Sequence, residues 1–507
     1  MRTSTIVSRV LAECKSYMHL ARWRRLVDLG NAAVSGHPLA LTALALGSGA
    51  NTNVRHRVKA VDRLLGNAHF AAEHLDIYRS LARRWLTGLR EPVIVVDWSS
   101  LSADLAWHWL RASVVVDGRA LTLYEEVHPR KHLAAYVVHR RFLERLACVL
   151  PAATTPILLT DAGFRGTWFA LVKAQGWQWV GRIRNREYVC RVAPGQQEAA
   201  GKKSPRWFPA KTLYAGARTR SEDLGPFDST RNRPVRCRLV RVKRTPTGRK
   251  HRYPSGKEQR HTHARKCAAA AREPWLLSCS PGLAHLSAET IVTLYAKRMR
   301  VEQGFRDTKN ERLGQGITRS RSHGQRRLEA LLLIGHIASI VKRLIGEAAK
   351  AAQLQRQLIS RRQVKHPPHT ELSVLTVATR VIASPSLMCL ITNPLAYLHR
   401  LRQQAFDAFP TPLSIRLRNS WGNPRAPFAP RSSVQREGSA DNETSVALKY
   451  RIPKFSVPTY WFDASTFLIT IETLLMQRFQ YSFDTSTCIS PLACCEMFAG
   501  ILCIVHS

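Results

Sequence analysis

Val93-Ile-Val-Val-Asp97 is followed by Ala112-Ser-Val-Val-Val116, Asp117-Gly118 and Ala120-Leu-Thr-Leu-Tyr124. The first run is β-branched and stops at an aspartate. The other two, with Asp-Gly between them, carry the strongest hairpin signal in the chain. Working outward, His132 to Leu150 reads as helix stopped by Pro151, and Ile157-Leu-Leu-Thr160 as a second buried strand, again closed by an aspartate, Asp161. Phe164 to Gln175 returns to helix and Trp177 to Val180 to strand. The order strand, hairpin, helix, strand, helix implies an α/β fold, a mixed sheet wrapped by helices. Asp97 and Asp161 are then expected at strand ends, beside which the active sites of α/β sheets lie. Taken singly, each is a turn residue capping a strand.

A second stretch, Tyr295-Ala-Lys-Arg298-Met-Arg-Val-Glu302-Gln-Gly-Phe-Arg-Asp-Thr-Lys309, contains no breaker but one glycine and reads as one helix. At about 100° per residue, Tyr295, Arg298, Glu302 and Lys309 share an arc of about 60°. That arc borders the apolar stripe Leu294, Val301 and Phe305, whereas Lys297, Arg300 and Asp307 are expected on the far side. The plain alternative is an amphipathic helix with i,i+4 pairs such as Arg298 with Glu302.

The 507 residues allow two to four domains, with 77 Lys and Arg against 35 Asp and Glu, a net charge of +42. Such an excess repels itself and points to a polyanionic partner, nucleic acid by default. Residues 407–507 contribute only +1 of it, so the partner is expected on the first four fifths of the chain. The N-terminal residues carry no long apolar run, and no segment has the length and apolarity of a membrane span, which leads to an expectation of a cytoplasmic protein without membrane contact. The eleven cysteines lack framework spacing and are expected to be reduced. Residues 1–85 read as short basic helices. Within them, Pro38–Leu46, a glycine-containing turn, and Val54–Leu65 with Arg55, Arg57 and Lys59 fit a helix-turn-helix or a helical hairpin with a solvated basic face. His261, His263 and Cys267 have loose metal-ligand spacing inside a basic run, which favours phosphate contact or solvation over zinc.

Asp97, Asp161 and Glu302 together supply the hard oxygen ligands that two-metal phosphoryl transfer needs. On these residues the chain resembles the cut-and-paste DDE transposases of bacterial insertion sequences. The signature of one group is Tyr, two residues, Arg, three residues, Glu, six residues, Lys. Tyr295, Arg298, Glu302 and Lys309 match it without a gap. Val95-Val-Asp97-Trp-Ser and Leu159-Thr-Asp161-Ala-Gly-Phe resemble that group's aspartate motifs, and Val58 to Asn67 a segment of its N-terminal domain. The resemblance covers roughly residues 15–400.

The resemblance implies a ribonuclease H-like mixed-sheet catalytic core from residues 86–184 and 275–350. An N-terminal helical DNA-binding domain would occupy 1–85, a basic β-rich insertion 185–274 and C-terminal helices 351–406. It also implies that Asp97, Asp161 and Glu302 hold Mg²⁺, with Mn²⁺ able to substitute, for strand hydrolysis, hairpin formation and strand transfer. Tyr295, Arg298 and Lys309 would grip terminal phosphates. Trp275 would stack on a flipped base, or stand as a core aromatic before a strand. Double-stranded DNA, as element ends and as target, a homodimer and a nucleoid-associated location follow from the same resemblance. Residues 407–507 depart from the group, as read-through, disordered sequence or an accessory domain. The rival readings are a decayed transposase that only binds ends as a repressor, and a structure-specific nuclease.

Overall fold

The computed structural model describes residues 1–409 except 50, 103, 186, 193–205, 246–260, 312–313 and 360–371, without the side chains of 263, 264, 266 and 267. The basic run Arg249–Arg260, the tail from residue 410 and the side chains of His263 and Cys267 therefore lie outside the described residues. The described residues fall within one compact unit.

Five helices open the chain: α1 (Thr3–Val10), α2 (Leu20–Val34), α3 (Leu41–Gly47), α4 (Val54–Gly66) and α5 (Ala68–Leu86). Their starts follow from capping residues. Asn53 accepts from the Arg55 amide and Asn67 from the Phe70 amide, which satisfies donors that a helix leaves open in its first turn. Their apolar faces, including Leu26, Leu65, Ile77 and Trp85, are buried in the same core as the sheet.

The sheet follows with β1 (Val93–Ser100), β2 (Trp107–Val116) and β3 (Arg119–Pro129), then α6 (Tyr136–Val149), β4 (Ile157–Thr160), α7 (Gly166–Ala174) and β5 (Gln178–Ile183). Strands β6 (Tyr188–Arg191), β7 (Phe208–Pro209), β8 (Glu222–Ser229) and β9 (Val235–Val242) precede α8 (Thr262–Arg272) and β10 (Trp275–Cys279). All ten strands join one sheet in the order β3-β2-β1-β4-β5-β10-β9-β8-β6-β7. β4 runs parallel to β1 and to β5, and the other pairings are antiparallel. Val93 to Val96 are buried completely, as a strand covered on both faces must be. Alternation along β1 sends Asp97 to one face and Trp98 to the other, where its indole donates to His139 Nε2 of α6 at 3.0 Å.

Beyond the sheet run α9 (Ala288–Ala296), α10 (Met299–Lys309) and α11 (Gln325–Ala351), then α12 (Gln355–Leu358), α13 (Val374–Ile382), α14 (Pro385–Cys389) and α15 (Leu398–Phe406). Helix α11 is apolar nearly all round, with Leu331 to Ile334 and Ile337 buried, because helices α1, α2, α4, α5 and α13 and strand β3 surround it. Among the described residues no helix is long and apolar enough to cross a membrane. Cys14, Cys148, Cys190, Cys237, Cys279 and Cys389 are free thiols.

Three expectations change. The hairpin arms are longer than the apolar runs, because pairing continues into the charged and aromatic residues 107–111 and 125–129. Asp97 lies inside β1, not at its end, since β1 and β2 stay paired from Ile94↔Val114 to Ser100↔His108. The signature stretch is two helices joined at Lys297–Arg298. There the Arg298 amide bonds to Tyr295 O and the Arg300 amide to Lys297 O, three residues back. Two residues of the far side are held by the hairpin. Arg300 donates to Val116 O at 2.5 Å and Asp307 accepts from Arg119 at 3.0 Å.

Candidate active site

A cavity of about 600 Å³ is lined by Asp97, Asp161, Arg298, Glu302, Arg306 and Lys309, with Trp98, Ser99, Phe305 and Asn310. Three elements bring the carboxylates there. Asp97 comes from mid-β1, Asp161 from the residue after β4, which lies parallel beside β1, and Glu302 from the first turn of α10.

Arg298 organises the site. Its Nη1 donates to Asp97 Oδ2 at 3.0 Å and its Nη2 to Glu302 Oε1 at 3.2 Å, so one guanidinium bridges two of the three carboxylates. Burial by itself pulls the guanidinium down. The surrounding Tyr295, Asp97, Asp161 and Glu302 outweigh that and hold Arg298 above its ordinary range. Burial pushes Asp97 up to about 7, the charge of Asp161 adds to the rise, and Arg298 and the Trp98 amide oppose it. Asp161 folds back on its own turn, Oδ1 accepting from the Gly163 amide at 2.8 Å.

The remaining signature residues take separate places. Lys309 donates to Ser99 Oγ at 2.9 Å and lies 5.7 Å from the centre of the Trp109 ring, and burial and Arg111 lower its pKa. Tyr295 is only 4 % exposed, and burial raises its phenol to about 12. Its ring meets Trp275 edge to face at 4.9 Å, and the Arg244 guanidinium covers Trp275 at 4.8 Å. Trp275, the first residue of β10, is thus half-buried between two partners. In α4, Arg55 and Lys59 are exposed, while Arg57 turns back to the carbonyls of Leu46 and Ser48 at the end of α3.

Neighbours absent from the sequence reading are Ser99, Trp109, Arg111 and Arg306. Arg111 stands opposite Asp97 in the β1–β2 register and donates to Glu125 Oε2 at 2.6 Å and Thr308 Oγ1 at 3.3 Å. The single formal charge among residues 107–116 was the available signal. Arg306 followed the signature glutamate by one helical turn.

Three hard-oxygen donors on a partly desolvated cavity, two of them bridged by one guanidinium, are the donor chemistry suited to divalent cations. Among the described residues no three His, Cys, Asp or Glu side chains stand at ligation distance from a common point, and the Arg298 guanidinium lies between Asp97 and Glu302. No curated protein matches the sequence. The family model described as the transposase DDE domain matches residues 88–341, half of the chain, from just before β1 into α11. The span includes both aspartates, the glutamate and the arginine that ties them, and the chain belongs to this DDE transposase family.

Proposed function

We propose that this protein excises and inserts a bacterial insertion sequence by the cut-and-paste route of the Tyr-Arg-Glu-Lys group. The observation that carries the reading is the cavity shared by Asp97, Asp161, Glu302, Arg298 and Lys309. The strand order β3-β2-β1-β4-β5, antiparallel through the hairpin and parallel from β1 to β5, supports a ribonuclease H-like core.

Asp97, Asp161 and Glu302 would hold Mg²⁺, which when bound supplies a Lewis acid for phosphoryl transfer. Lys309 and Arg306 face a phosphate in the cavity as point charge and fork. Arg298 exchanges its carboxylates for a phosphate oxygen as the DNA enters, which binds the strand and frees both acids. Tyr295 positions this end of the site through its packing on Trp275, and its burial excludes water from the α9–α10 joint. The exposed Arg55 and Lys59 of α4, with the helices of residues 1–85, would hold the duplex end. Strand hydrolysis, hairpin formation and joining to target DNA, carried out by a homodimer on two ends in the cytoplasm, complete the reading.

Asp97→Ala, Asp161→Ala and Glu302→Ala are each expected to lower cleavage of end DNA in Mg²⁺ or Mn²⁺ by about a thousand-fold or more, with DNA binding retained. Cleavage at the wild-type rate by all three would overturn the proposal. End binding without cleavage by the wild-type chain would select the repressor instead.

A further inference from the structure

Most arginines in the β8–β9 ribbon are committed to the fold. Arg236 pairs with Asp228 at 2.7 Å, Arg238 with Asp223 at 2.7 Å and Arg241 with Glu222 at 2.6 Å. Arg165 and Arg231 differ. Both are exposed, and among the described residues neither makes an ion pair. They line one groove of about 690 Å³ together with Tyr188, Asn232, Gly163 and His139. Tyr188 is 45 % exposed.

The groove has a fixed floor. Thr230, in the β8–β9 turn, has a left-handed φ of 69°. Its amide donates to Tyr188 O at 3.0 Å, and its hydroxyl donates to Glu187 Oε1 at 2.5 Å. The same turn sits on the start of α7 so closely that a Cβ at Gly166 would lie 1.6 Å from Thr230 Oγ1. Only glycine admits this approach.

No residue lines both the groove and the active-site cavity, but two hydrogen bonds link their linings. The Gly163 amide, on the groove side, holds Asp161 at 2.8 Å, and His139, also on the groove side, accepts from the Trp98 indole at 3.0 Å. The turn from Asp161, which lines the cavity, to Gly163, which lines the groove, places the two side by side. Unpaired cations and an exposed ring beside a backbone track are the equipment of single-strand binding. Phosphates meet the guanidiniums and a base face meets the aromatic, which a duplex does not offer.

We propose that this groove takes a single-stranded DNA segment continuing from the phosphate bound at Arg298, Arg306 and Lys309. The inference rests on the transposase reading and adds a strand path to it. The test compares a blunt duplex with the same duplex carrying a single-stranded arm, by anisotropy in EDTA so that no cleavage occurs. The arm is expected to tighten wild-type binding about tenfold. Tyr188→Ala is expected to remove most of that gain and Tyr188→Phe to keep it. Arg165→Ala with Arg231→Ala is expected to remove it too, and to lower the salt slope on the armed substrate by about 1.4, roughly 0.7 for each phosphate that is no longer neutralised. A bromodeoxyuridine in the arm should photocrosslink to the peptide containing Tyr188. No gain from the arm in the wild type, a gain that survives these variants, or an equal loss on the blunt duplex would each overturn the groove. Failure of the transposase reading shows separately, as absence of metal-dependent cleavage by the wild-type chain.

Discussion

Arg111 is buried with Glu125 and lies 4.7 Å from the centre of the Trp109 ring and 5.1 Å from that of Phe305. Through Thr308 it fixes the end of α10 that presents Lys309. Removing one partner of a buried pair leaves an uncompensated charge, so Arg111→Ala is expected to destabilise the fold by about 3–5 kcal/mol in urea unfolding. Replacing Arg111 by Met and Glu125 by Leu together should cost well under the sum of the two single changes. At this scale the meeting of Asp97, Asp161, Glu302 and Arg298 at one cavity was legible, because each sits in a local run with its own spacing. Arg111, Ser99 and Trp109 were not. Their roles depend on strand register and on contacts with residues about two hundred positions away, such as Lys309 with Ser99.

The α9–α10 joint shows why element boundaries are hard to read. Lys297 and Arg298 are good helix formers, and nothing local breaks the helix there. The break answers to the sheet. Helix α9 packs on β5, β8 and β9, while α10 packs on β1 and β3, several strands away. Because a sheet twists, one straight helix does not lie flat on both regions. The hairpin was legible from Asp117-Gly118, and its full length was not, because residues 107–111 and 125–129 are held by pairing and burial and carry no apolar alternation. On β5, Gly181 lets α7 approach. A Cβ there would lie 2.5 Å from the Phe169 ring and 3.0 Å from Thr160 Oγ1. Gly181→Ala is therefore expected to cost about 1–3 kcal/mol in thermal or urea unfolding, although it alters none of the residues that line the cavity.

For the molecule as a whole, buried neutral histidines set an acid limit. Burial holds His74 down at about 4 and His336 at about 3. Unfolded histidines take up protons near 6.5, so the unfolded chain binds more protons below that pH. This part of the stability is complete above pH 6.5 and is lost as pH falls towards 4 and 3. The loss is about 2 kcal/mol per histidine by pH 5, to be read as a fall in urea midpoint that His336→Phe makes shallower. Composition announced the charge and the kind of partner at this scale, but not the closure of the sheet. β10, contributed by residues 275–279, is inserted between β5 and β9, and α11 fills the space among the N-terminal helices and β3. Neither the two halves of the sheet nor the first five helices can complete their burial until residues 325–351 have left the ribosome. At about 5–20 residues per second that leaves apolar surface uncovered for roughly ten seconds to a minute, which makes the nascent chain a client for holding chaperones, and a prematurely terminated product a substrate for proteolysis.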